Sequence, residues 1–356
     1  MTAKINAIRK QLDAHNIDGL LVTNAYNRRY TTGFTGSSGY CLITEQGAEL
    51  ITDFRYVEQA AQQAEGFDVI RHEADIVETV AARVKQYGVK KLGFEKNHVT
   101  YALFERLEAL NPNVELVPVS SIIEELRLLK TPDEVAIIKE AAAIADNTFT
   151  HILSFIKPGM TELQVANEME FHMRSQGASS SSFDTIVASG LRSALPHGVA
   201  SEKAIEKGDM ITLDFGAYYK GYCSDITRTI AVGEPGDKLK EIYNVVLKAQ
   251  LNGVQHMKAG LTGIQADALT RDIIKEAGYG EYFGHSTGHG IGLEVHEGPA
   301  LSMRGNQILA PGMMVTVEPG IYIEGTGGVR IEDDVLITED GCEIITKSPK
   351  ELIVLS

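Results

Sequence analysis

Four carboxylates in this chain recur in a matched pattern. Residues 210–219 read MITLDFGAYY and residues 314–323 read MVTVEPGIYI, which sets Asp214 in register with Glu318. Each is followed by a turn-rich link and a second carboxylate, Asp225 in the first case and Glu332 in the second. Ile211, Leu213 and Phe215 alternate with Thr212 and Asp214, a period that predicts a half-buried strand. A hairpin turning near Tyr219 and Lys220 places Asp214 opposite Asp225, and one turning in the glycine-rich segment 324–328 places Glu318 opposite Glu332. Like charges facing each other across a strand pair repel. Burying them unpaired is costly, and a cation is the usual remedy. For any one of these acids a solvated strand face is the plainer account. For a matched set of four, metal binding is the stronger one.

The segment 285–297, HSTGHGIGLEVHE, supplies three histidines, His285, His289 and His296. It is not a zincin helix, because Gly288, Gly290 and Gly292 oppose helix and no Glu follows His285. Glycines there let backbone approach a site closely. One imidazole joined to four carboxylates makes an oxygen-rich donor set, and the four negative charges match two divalent cations. Such a set suits Mn2+, then Co2+ or Fe2+, better than a structural zinc site, with Zn2+ in a catalytic role left open. Two ions about 3.5–4 Å apart can share a water and lower its pKa toward neutrality. Residue chemistry thus reaches a two-metal hydrolase and does not name the bond.

The elements that must hold these groups are also repeated. KPGMTEL at 157–163 returns as KAGLTGI at 258–264, each after a long helix and each ending in Gly and then a Thr suited to cap the next helix. The C-terminal part therefore predicts helix, helix, strands, twice over, related by an internal pseudo-twofold. Thr131-Pro132-Asp133-Glu134 is a strong helix start, and the helix it opens runs to about Ile156. Upstream, residues 19–23, 40–44, 49–52, 67–70 and 91–95 read as strands, and 54–65, 75–87 and 100–110 as helices, which is an α/β domain. GxxG at 33–36 lacks the rest of a nucleotide fingerprint and reads as a turn. A length of 356 residues asks for two cores, placed at 1–125 and 126–356.

The net charge, 33 − 48 = −15, argues against a nucleic-acid or anionic-membrane partner. The three cysteines, Cys41, Cys223 and Cys342, are widely spaced without CxxC, which points to a reducing compartment rather than a disulfide framework. No leader-type apolar segment opens the sequence and no apolar run reaches bilayer length, so a cytoplasmic location is expected.

Asp214, Asp225, His289, Glu318 and Glu332, in that order, resemble the five metal ligands of the pita-bread metallopeptidases, the M24 family of methionine aminopeptidase, prolidase and aminopeptidase P. LDFG, GHGIGLEVHE, VEPGIY and RIED carry the likeness. NRRYTTGF at 27–34 and TDFRY at 52–56 resemble the creatinase/prolidase N-domain, which methionine aminopeptidases lack. The resemblance implies a creatinase/prolidase-type α/β domain ahead of a pita-bread α+β domain. It implies an Xaa-Pro dipeptidase or aminopeptidase that takes a proline-containing peptide, uses two divalent ions and forms a homodimer. By the same resemblance Asp214 binds one ion, Asp225 and Glu332 bridge both, and His289 and Glu318 complete the second site. Glu318 is then also the general base, His296 binds the substrate carbonyl, and His197 contacts substrate. His285 lies near the proline pocket and Arg330 supports the site. Several prolidases carry an Arg shortly after VHE that binds a dipeptide's carboxylate. Here that stretch is Gly298-Pro299-Ala300-Leu301, with Arg304 further on, so dipeptidase and aminopeptidase both stand. The competing readings are a metal-free creatinase-like C–N hydrolase and a non-catalytic binding module on the same fold. Retention of all five candidate ligands weighs against both.

Overall fold

The structure, a computed structural model, describes residues 2–356. It divides into two compact units, one ending at Arg127 and the other starting at Leu128. In the first, strands β1 (Gly19–Val22), β2 (Tyr40–Thr44), β3 (Ala48–Thr52), β4 (Asp68–Arg71), β5 (Lys91–Glu95) and β6 (Glu115–Val119) form one mixed sheet of order β4-β3-β2-β1-β5-β6. Its helices are α1 (Thr2–Ala14), α2 (Ala25–Thr32), α3 (Val57–Gln63), α4 (Ile76–Gln86), α5 (Tyr101–Leu110) and α6 (Ile122–Arg127). Leu21, Leu42, Ile51 and Leu92 of the sheet pack with Val77, Val80 and Val84 of α4. The GxxG begins at Gly33, whose left-handed backbone closes α2, so that motif is a helix stop.

The second unit opens with α7 (Pro132–Phe155), where Thr131 and Glu134 form a full capping box. Next come α8 (Glu162–Ser175), β7 (Ser180–Ser181), β8 (Ile186–Ser189), β9 (Met210–Phe215), β10 (Ala217–Tyr219), β11 (Tyr222–Cys223) and β12 (Ile226–Val232). The pattern then returns: α9 (Asp237–His256), α10 (Gly263–Glu276), β13 (Gly288–Gly290), β14 (Glu297–Leu301), β15 (Met314–Val317), β16 (Gly320–Ile323), β17 (Gly327–Arg330), β18 (Asp333–Ile337), β19 (Cys342–Ile344) and β20 (Val354–Leu355). The two echoed loops are built alike. Gly159 and Gly260 take left-handed φ of 90° and 86°. Thr161 and Thr262 then cap α8 and α10 in capping boxes with Gln164 and Gln265. Among the described residues no helix is long and apolar enough to cross a membrane.

Two expectations about the carboxylate strands change. The strand β9 is buried on both faces, Thr212 and Asp214 included, so its polar side looks into the protein rather than to solvent. Its hairpin also turns later than expected. Lys220 and Gly221 both have positive φ, 48° and 88°, the signature of a two-residue type I′ loop, and Tyr219 pairs with Tyr222 around them. Asp214 therefore faces Thr227, not Asp225. The same register puts Asp225 across from Gly216, where an added Cβ would stand 1.7 Å from Ser224 O. In the other half the expected pairing holds. Val317 faces Asp333 and Gly320 faces Arg330, which leaves Glu318 across from Glu332.

Gly216→Ala is thus expected to push the strands apart beside Asp225 and to destabilise the chain by about 1–3 kcal/mol. Differential scanning calorimetry of the full chain reads this directly; an unchanged melting profile would contradict the close approach.

Candidate metal centre

The expected site residues converge. A cavity of about 520 Å³ in the second unit is lined by all nine of them, together with an apolar wall that includes Phe183, Ile186, Pro196 and Val199. Asp214 comes from the end of β9, and Asp225 sits just ahead of β12. His289 is the middle residue of β13, Glu318 lies between β15 and β16, and Glu332 between β17 and β18. His197 lies on the exposed turn after the short 3-10 helix at Gly190–Ala194, and His296 is exposed just ahead of β14. Donor atoms of Asp225, His289 and Glu332 all fall within 4.8 Å of one another. His289 Nε2 is 3.3 Å from Glu318 Oε1 and 3.8 Å from Asp225 Oδ2.

Each of these groups is held. His289 Nδ1 lies 3.1 Å from Gly290 O, a contact that assigns the proton to Nδ1 and leaves the Nε2 lone pair turned to the carboxylates. The Thr316 hydroxyl accepts from His289 N–H and donates to Glu318 Oε1, both at 3.1 Å. The Thr227 hydroxyl donates to Glu332 Oε2 at 2.6 Å. Asp225 N–H donates to Asp334 Oδ2 at 2.9 Å. Arg330 contacts Asp214 Oδ2 and donates to the Tyr322 hydroxyl at 2.7 Å. That hydroxyl is 2.8 Å from His285 Nε2, and His285 Nδ1 is 2.8 Å from Ser286 O. Arginine can only donate, so the tyrosine proton is directed to His285 Nε2 and Nδ1–H points to Ser286 O. Both nitrogens of His285 are thus committed, and what it offers the cavity is its ring. Tyr322, Thr227, Thr316 and Asp334 were not singled out from the sequence. Tyr322 sits in the VEPGIY echo, and Thr227 follows from pairing arithmetic once the hairpin is centred on Lys220 and Gly221.

The electrostatics fit a cation. Asp225 Oδ1 is buried and accepts no hydrogen bond. Burial, then Glu332 and Asp214, holds the Asp225 carboxyl well above the usual range. Burial, then Glu318 and Asp214, does the same to Glu332. Burial pushes Glu318 up to about 8. Burial lowers His289 and, with Arg330 behind it, takes His285 down to about 4, so both rings are neutral near pH 7. Neutral imidazole and clustered carboxylate oxygens are a donor set for divalent transition ions. A bound cation offsets the burial and the mutual repulsion that now raise these carboxyls.

Residues 136–339 match metallopeptidase family M24, and residues 4–129 match the creatinase/prolidase N-terminal domain. The chain is 63% identical to the solved Xaa-Pro dipeptidase from Bacillus anthracis, which superposes with a TM-score of 0.98 over 99% of both chains. The X-Pro aminopeptidase from Thermotoga maritima MSB8 is 43% identical, with a TM-score of 0.91 over 97% of this chain and 100% of that one. The Xaa-Pro dipeptidase of Pyrococcus horikoshii is 42% identical over 359 residues, 99% of each chain.

A buried carboxyl whose folded pKa exceeds its unfolded value takes up protons on folding, so stability falls as pH rises between the two. For Glu318 that window runs from about 4.5 to about 8, and Asp225 and Glu332 act in the same direction. Chelator-treated protein is expected to melt at progressively lower temperature from about pH 5 to about pH 8, and Mn2+ added at the upper end to restore the loss. A melting temperature that stays level or rises over that range contradicts the raised carboxyls.

Proposed function

The chain belongs to metallopeptidase family M24, with a creatinase/prolidase-type N-terminal domain ahead of a pita-bread catalytic domain, and is a peptidase; from that premise we propose that it cleaves the bond between a residue and a following proline with two divalent metal ions, Mn2+ foremost. The observation that carries this reading is the clustering of Asp225, His289 and Glu332 donors within 4.8 Å of one another, with one Asp225 oxygen left unbonded, in a cavity shared with Glu318 and His296. The similarity to Xaa-Pro dipeptidases and to an X-Pro aminopeptidase supports the proline preference.

Asp214, Asp225, His289, Glu318 and Glu332 would hold the ions. Bound there, they supply Lewis acidity and a water of lowered pKa. Glu318 then takes the proton of the attacking water and passes it to the proline nitrogen as the C–N bond breaks. His296, at the exposed edge of the same cavity, donates a hydrogen bond to the carbonyl oxygen as charge gathers on it. Arg330, anchored between Asp214 and Tyr322, keeps the Asp214 carboxylate oriented. Pro196, Val199 and the committed ring of His285 give proline an apolar surface, and His197 stands over the same opening. Arg304 is exposed and is not among the residues lining the cavity, whereas Ala300 is.

Purified protein with added Mn2+ is expected to hydrolyse an Xaa-Pro dipeptide, an Xaa-Pro-Xaa tripeptide or both, and the ratio of their kcat/KM values separates dipeptidase from aminopeptidase. Glu318→Gln should lower kcat by about 100-fold or more. Near-normal turnover by that variant, or no proline-directed cleavage by the wild-type chain, would sink the proposal.

A further inference from the structure

Lys130 and Glu297 form an ion pair inside the second unit, 167 residues apart in sequence. Lys130 Nζ lies 2.6 Å from Glu297 Oε1, and the two side chains are only 2% and 9% exposed. Desolvation makes such a pair a poor source of stability, since apolar residues of similar size often serve as well. What a buried pair does supply is a fixed geometry between two segments.

Both ends of this pair are anchored. The Lys130 N–H donates to Gly312 O at 2.9 Å, and the next residue, Thr131, caps α7, so the ammonium is presented from a fixed support. On the other side, room for the carboxylate depends on Gly292. A Cβ added there would stand 2.4 Å from Glu297 Oε1 and 3.1 Å from Lys130 Cε. Gly292 is itself tied, accepting at its carbonyl from Cys223 N–H at 2.8 Å and donating its N–H to Glu294 O at 3.1 Å.

The residue next to Glu297 is His296. Its ring meets the ring of His289 edge-on, with centres 4.4 Å apart. Among the described residues its imidazole makes no hydrogen bond, so the place of this exposed side chain depends on the backbone that carries it. We infer that Lys130 is a positioning residue for the reaction: through Glu297 it clamps the 292–297 segment and sets His296 at the cavity. The inference rests on the role proposed above for His296.

The test is steady-state kinetics of the full Mn2+-loaded chain on an Xaa-Pro peptide, with metal content measured on every variant. Lys130→Met should lower kcat roughly 10- to 100-fold, as loss of a group orienting an active residue does. KM and bound metal should stay near wild type, the split expected when only transition-state contact is lost. Lys130→Arg should recover most of the rate. The double variant Lys130→Met with Glu297→Met removes both members of the pair together and should fold, yet stay slow. In a His296→Ala background, Lys130→Met should cost nothing further, because both changes remove one contact. A normal kcat for the double variant, or an undiminished penalty in the His296→Ala background, overturns the inference while leaving the peptidase reading intact. Full activity of His296→Ala alone would remove the role on which it rests.

Discussion

Mutual repulsion among buried carboxylates is the constraint that organises the catalytic unit. Asp214, Asp225, Glu318 and Glu332 share one cavity, and Asp225 and Glu332 are at most 4% exposed. Burial leaves water little room to screen Asp225 and Glu332 there. Among the described residues lining that cavity, Arg330 supplies the positive charge, directed at Asp214, and neutral hydroxyls serve two of the others. Thr227 serves Glu332, and Thr316 serves Glu318. That leaves an oxygen of Asp225 with no partner and several carboxyls held far above their ordinary range. No rearrangement of neutral hydrogen-bond donors removes a surplus of negative charge, whereas divalent ions do.

Much of this was legible before the fold was seen, and the part that was not has a definite cause. The capping box at Thr131 and the two Gly-then-Thr loops are local signals, since the residues that satisfy the helix ends lie within four positions of them. The four candidate carboxylates were legible because turn-rich links mark their strands, whereas His289 was set apart from His285 and His296 only by the family resemblance. Register was harder. The expected centre at Tyr219 and Lys220 ignored that a two-residue hairpin needs positive φ at both loop positions, which Lys220 and Gly221 supply. That shift moved Thr227 into the place assigned to Asp225 and hid its bond to Glu332. Alternation on β9 suggested a solvent face because period-2 patterning cannot tell solvent from a polar cavity.

Glycine carries the parts of the site where backbone must approach backbone. Gly216 faces a carbonyl at a distance no side chain permits, and Gly288 and Gly290 lie as close to Thr316 O and Gly298 O. The glycines of the histidine segment therefore explain how β13 can bring His289 against β15 with the loop bearing His296 folded over it. Close packing of this kind leaves the histidine segment few ways to relax, which suits a site whose groups must hold their spacing when charge changes.

The corrected register also changes what the internal repeat means. Aligning Asp214 with Glu318 and following each ladder makes Thr227 the counterpart of Glu332, Arg228 of Asp333, and Asp225 of Arg330. Counterparts touch: Thr227 Oγ1 bonds Glu332 Oε2 at 2.6 Å, and Arg228 pairs with Asp333 at 2.8 Å, as residues beside a local twofold must. The second carboxylate of each half consequently comes from a different level of its strand. A strictly symmetric version that kept Asp225 and Glu332 would need carboxylates at all four return positions, with no arginine, and one that kept Arg330 would need arginines at both inner ones, with Asp225 lost. The first adds charge to a cavity already over-supplied, and the second removes a ligand. Ala188, which pairs with Thr212, stands where the second half carries His289 beside Thr316. Duplication thus supplies two matching frames that meet at an axis. The proposed chemistry depends on three of the places where the frames differ: Thr against Glu, Asp against Arg, and Ala against His.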